Sequence, residues 1–166
     1  MQIRIRESGL VMYESEFRTL FPNTSMPQQL TEALINELGA DVVFEGPQAT
    51  GGTVYQYSQR NGVEQIDGKW YTKYILGPVF IDQVVDGVTT TAAEQEATYK
   101  AQKDAEQATS VRATRDEKLK ECDWIVIKNL ETNSNIPGAW EVYRQALRDV
   151  PSQAGFPWTV TWPDAP

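Results

Sequence analysis

The chain has no histidine among its 166 residues and one cysteine, Cys122. The first absence removes serine and cysteine triads and most zinc or non-haem iron sites, because all of them depend on imidazole. The lone thiol has no second cysteine for an internal disulfide and no histidine to activate it, so it reads as a buried residue at a helix end. No run of eighteen apolar residues occurs, and the opening MQIRIRESGLVMY lacks the apolar core of a signal peptide. The sequence therefore predicts a soluble protein made without export by the usual route. Positive charge is short too: 15 Lys and Arg face 23 Asp and Glu, a net charge of -8. A polyanion-binding surface needs net positive potential. The densest basic stretch, Arg112, Arg115, Lys118 and Lys120, is interleaved with Asp116, Glu117 and Glu121, as on a solvated helix face. Neither nucleic acid nor a membrane is an expected partner.

Other absences narrow the chemistry. The glycine-rich EGPQATGG lacks the lysine and following hydroxyl of a phosphate-binding loop, and no aspartate-rich calcium loop is present. The spacing of Asp82, Asp86, Asp116, Glu117, Glu121 and Asp123 singles out no acid and base pair. No catalytic residue, cofactor or metal is predicted, which leaves binding or assembly as the broad class.

What the chain does have is material for a core, with 40% hydrophobic and 10% aromatic residues. Composition changes near residue 90, from a segment rich in glycine, β-branched and aromatic residues to one rich in alanine, glutamine and charge. The fold class expected is α+β: a mainly β domain over 1–90, a meander or sandwich with one short helix, then a helical domain over 91–166. In the first, QIRIR and LVMY flank a turn at Ser8-Gly9. Ser25 with Gln28 has the pattern of a capping box, and Leu30, Leu34, Ile35 and Leu38 share a helical face before Gly39. DVVFEG is a predicted strand. Asn61-Gly62 and Asp67-Gly68 supply the positive φ of tight hairpin turns, so residues 53–76 read as a meander with aromatic faces. PVFIDQVV adds a strand closed by Asp86-Gly87.

In the second domain, Thr91 with Glu94 opens a stretch without glycine or proline to about Glu121, which predicts one long helix. Its apolar stripe is mostly Ala97, Ala101, Ala105, Ala108 and Val111. Alanine allows close approach of another helix, so the stripe fits either a solvent-exposed connector or a packed assembly helix. A further helix enters through Asn135 and Pro137 and runs to Val150, with Trp140, Tyr143, Leu147 and Val150 on one stripe. After Gly155 the alternation of Trp158, Val160 and Trp162 with threonines predicts an extended tail, folded over the protein's own helices or across a neighbour.

RDEKLKECDW, followed by AWEVYRQALRDVPSQAGFPWTVTWP, resembles the C-terminal module of phage tail fibre assembly chaperones. The shared elements are Asp123-Trp124 after a charged helix, a connecting loop, Trp140 to Asp149 as Trp-x-x-Tyr-Arg-Gln-Ala-Leu-Arg-Asp, then Gly155-Phe156-Pro157 and Trp162-Pro163. They span about Arg112 to Pro163, and where such proteins usually carry a short proline-containing loop this chain has IVIKNLETNSNIPG. The N-terminal part resembles, more loosely, the variable domains attached to that module. The resemblance implies a tail fibre as partner, in a 3:3 complex with a homotrimer of this chain, without ATP, in the host cytoplasm during assembly. A permanent virion component is the alternative. It implies two sets of site residues: Tyr55, Tyr57, Trp70, Tyr71, Tyr74 and Phe80 toward the fibre, and the alanine stripe with Val111, Trp124, Trp140, Tyr143, Leu147, Phe156, Trp158 and Trp162 for assembly.

Overall fold

A computed structural model describes residues 1–166, which divide into two compact units, Met1–Val79 and Phe80–Pro166. The first is built on a five-stranded sheet in the order β2-β1-β3-β5-β4, with β1 Gln2–Ile5, β2 Val11–Tyr13, β3 Ala40–Phe44, β4 Tyr57–Ile66 and β5 Lys69–Gly77. All neighbours are antiparallel except β3 and β5, which run parallel. The α+β class is as expected, and the first unit holds one sheet rather than a sandwich.

Two short helices cover one face of β1 to β3: α1, Glu14–Thr19, and α2, Glu32–Glu37. Phe17 of α1 and Ile35 of α2 are fully buried against Ile3 and Ala40, with Leu30 beside them. Helix α1 is not anticipated by the sequence pattern; its six residues hold one buried apolar side chain, too few to show a period. Helix α2 begins later than expected. The Ser25 and Gln28 pair lies in a loop tied down by Arg18, whose Nη2 donates to Pro27 O and Gln28 O, each at 2.9 Å. Thr31 is the cap instead, accepting from Leu34 N.

Asp67-Gly68, with φ of 49° and 79°, closes the β4-β5 hairpin as the dipeptide predicts. Asn61-Gly62 does not close one. Arg60 pairs with Tyr74 and Val63 with Thr72, so β4 holds one extra residue and Gly62, at φ 79°, sits in a bulge inside a continuous strand. Positive φ serves a bulge as well as a turn, which is why the sequence signal pointed to the wrong feature.

The second unit opens with a small hairpin, β6 Gln83–Val85 and β7 Val88–Thr90, turning at Asp86-Gly87. It groups with the helices because its root is bonded to the start of α3, Ala92–Glu121. The capping box is present: Thr91 accepts from Glu94 N, and the Glu94 carboxylate accepts from Thr91 N at 2.8 Å. These bonds from the Thr91 backbone and hydroxyl hold the Glu94 carboxyl below its ordinary pKa. Two helices follow, α4 Asp123–Glu131 and α5 Gly138–Asp149. Helix α4 takes up the first part of the loop expected between Trp124 and Trp140, leaving residues 132–137 as the loop, and α5 is entered through Pro137 rather than Asn135.

Replacing Thr91 by Ala should cost about 1 kcal/mol in thermal unfolding. Because the Glu94 pKa is depressed, its contribution is present above the ordinary carboxylate range and is lost as pH falls through the folded value. The difference between wild type and T91A, measured by circular dichroism, should shrink toward acid pH.

Candidate functional site

Helices α3 and α5 meet around Cys122, Tyr143 and Leu147, which are 2%, 6% and 0% exposed, with Leu119, Trp140 and Trp162 packed against them. The stripe expected on α5 is the one that packs, and Val150 at its end is fully buried. Arg144, next to Tyr143, bridges the elements. Its Nη1 donates to Leu119 O at 3.0 Å and to Cys122 Sγ at 2.9 Å, and its Nη2 donates to Asp123 at 2.8 Å. Burial opposes the guanidinium charge, but the bonds to Asp123 and Cys122 outweigh it and raise its pKa. The Tyr143 phenol is pushed above its ordinary value, by burial first and then by Cys122 and Glu121.

The aromatic residues continue the junction. Trp124 meets Trp140 edge on at 6.2 Å, and Trp140 meets Tyr143 likewise at 5.9 Å. The tail returns along α3. Phe156 lies under Arg112 at 5.2 Å, Trp158 Nε1 donates to Asp104 at 2.5 Å, and Lys118 sits 5.7 Å from the Trp162 ring. A turn runs through Trp158, so the extended part begins only at Val160 and the predicted alternation of the two indoles is broken. Gly155 is required in that turn, since a Cβ there would stand 2.4 Å from Thr159 O. Gln153 fixes the tail by donating to Thr161 O and accepting from Thr161 N, both at 2.8 Å.

The alanine stripe is split. Ala108 and Val111 are buried, whereas Ala97, Ala101 and Ala105 are exposed, because the tail reaches along α3 only as far as Asp104. Helix α4 carries an exposed apolar row in which Ile127 and Leu130, not anticipated by the sequence, join the expected Trp124; Trp124, Ile127 and Leu130 are 52%, 56% and 80% exposed. Their i, i+3, i+6 spacing is the signal that could have revealed it once a helix was assumed.

The aromatic residues expected to face a fibre do not form one patch. Trp70 and Tyr74 share a face of β5, with Arg4 stacked 3.9 Å over Trp70, while Tyr71 points to the other face and packs on Phe44 at 5.7 Å. Tyr74 bonds Glu45 and, with Gln2, Tyr13 and Arg60, lines an open polar cavity of about 440 Å³. Tyr57 starts β4 and is exposed; Tyr55 lies in the turn before it, half-buried. Phe80 belongs to the second unit, where it stacks on Tyr99 of α3 at 5.6 Å.

The second unit thus offers packed aromatic junctions and exposed apolar rows rather than a convergent set of acids, bases or ligands, and no cluster of three or more His, Cys, Asp or Glu could hold a metal ion. No helix is long and apolar enough to cross a membrane. Residues 108–166, about a third of the chain, match the family model of the phage tail assembly chaperone protein. No curated relative and no solved structure matches the chain.

Leu147→Ala should destabilise the chain by about 2 to 5 kcal/mol, as expected for a fully buried leucine. Tyr143→Phe supplies a second check. A raised phenol pKa means its contribution is present below the unfolded value of about 10 and is lost as pH rises through the folded one. The substitution should flatten the alkaline decline of the melting temperature relative to wild type.

Proposed function

We propose that this protein assists assembly by binding the distal part of a trimeric tail fibre, holding its unpaired β-structure and promoting its folding and trimerisation. The observation that carries the reading is the match of residues 108–166. Its shared motifs fall on groups that touch in the structure: Asp123 on Arg144, Trp124 on Trp140, and the Gly155-Phe156-Pro157 step on α3. Strands that pair only when three chains meet expose edges that aggregate in the meantime. A helper that is itself trimeric would raise the effective concentration of three fibre tips without ATP and without catalysis.

In this reading the helical unit brings copies together through the open part of α3 and the α4 row, in a homotrimer and a 3:3 complex with the fibre. The first unit recognises the client, through Tyr57 and the Trp70 and Tyr74 face. The work is done in the host cytoplasm during assembly. Co-expression with the fibre protein of the same phage should give soluble fibre bound to this chain. Fibre that folds equally well alone would overturn the proposal. Light scattering of the full chain should give three times the protomer mass, and a monomer at high concentration would remove the trimer from it. Mass spectrometry of purified virions distinguishes a released helper from a retained component.

A further inference from the structure

An isolated two-stranded hairpin is marginal at best in water, and β6-β7 is one. It is held only at its root. Asp82 Oδ1 accepts from Ala92 N at 2.7 Å, and Gln95 Nε2 donates to Ile81 O at 2.7 Å and Thr90 O at 3.2 Å. Beyond the root all six strand residues are exposed, with Val84, Val85 and Val88 at 68%, 64% and 67%. No third strand pairs with either edge. The two-residue turn makes Val85 and Val88 the hydrogen-bonded pair, so the main-chain groups of Val84 and Thr89 point outward along the two edges.

Free edges in soluble proteins are guarded by lysine, proline, bulges or a covering element, and residues 83–90 have none of these. Their charge has one sign. From Ile81 to Gln95 the chain carries Asp82, Asp86 and Glu94 and no lysine or arginine, Glu96 beyond them being paired with Lys100 at 2.7 Å. Two such hairpins brought edge to edge set like charges together, which disfavours a second copy as the occupant. A strand that alternates valine-like residues with lysine or arginine complements both the pairing and the charge.

We propose that the β6-β7 hairpin is a strand-addition site for an extended, lysine- or arginine-bearing β segment of the tail protein. The inference rests on the chaperone reading for the identity of that partner and on the hairpin alone for its chemistry. Pairing supplies main-chain hydrogen bonds through Val84 or Thr89 and removes the valines from water.

The test titrates the full chain with two labelled hexapeptides, one alternating valine with lysine and the other valine with glutamate. The lysine peptide should bind, more weakly as salt rises, and should slow amide exchange at Val84 or Thr89. The double variant Val84→Pro, Thr89→Pro removes the outward N–H of both edges without breaking the hairpin's own bonds. It should weaken binding about tenfold, the size of one lost hydrogen bond, at an unchanged melting temperature. Asp86→Asn keeps the turn and should weaken the salt dependence. Equal binding of both peptides overturns the proposal, as does slowed exchange that appears without peptide when the protein is concentrated, since a second copy then covers the edge. Co-expressed fibre separates the two readings. Fibre held equally by wild type and by the double variant sinks the hairpin and leaves the chaperone; fibre held by neither, with the lysine peptide still bound, sinks the chaperone and leaves the hairpin.

Discussion

The C-terminal unit depends on one side chain, Arg144. Its guanidinium bonds the last turn of α3 through Leu119 O, the junction through Cys122 Sγ and the first residue of α4 through Asp123. With its side chain 11% exposed, the charge is stable there only because those partners replace water. The bridge fixes the angle at which α5 lies on α3. That angle in turn sets where Trp140 and Tyr143 stack and where the tail can return. Removing the guanidinium leaves Leu119 O and the buried Cys122 Sγ without that donor, while the half-exposed Asp123 turns to solvent.

Local signals were legible where local chemistry decides the structure. The Thr91 and Glu94 box and the stripe of Trp140, Tyr143, Leu147 and Val150 needed only neighbours in sequence, and both are present. Asn61-Gly62 was misread because positive φ fits a bulge as well as a turn, and only pairing with β5 selects between them. Helix α4 was unreadable for a different reason. DWIVIKNLE is rich in β-branched residues, whose intrinsic preference is against helix, and the burial of Ile125 overrides it. Phe80 looked like part of an aromatic sheet face, yet its partner Tyr99 lies on a helix nineteen positions on. For the candidate site, residue types were visible and grouping was not, since Trp70 and Tyr71 are adjacent in sequence and opposite in space.

The two units differ in what they keep open. The first closes one side of its sheet with α1 and α2 and leaves a polar cavity on the sheet. The second packs its core at the α3-α5 junction and leaves apolar rows on α4 and on the hairpin. The net charge of -8 opposes self-aggregation of a chain with this much apolar surface exposed.

The thirty residues of α3 make a rod about 45 Å long. The tail grips it from Asp104 onward, so the first twelve residues stand clear of the α5 junction with the hairpin rooted at their far end. About 18 Å of helix, along which Phe80 packs on Tyr99 and Gln95 ties the hairpin root, therefore separates the hairpin from the aromatic junction.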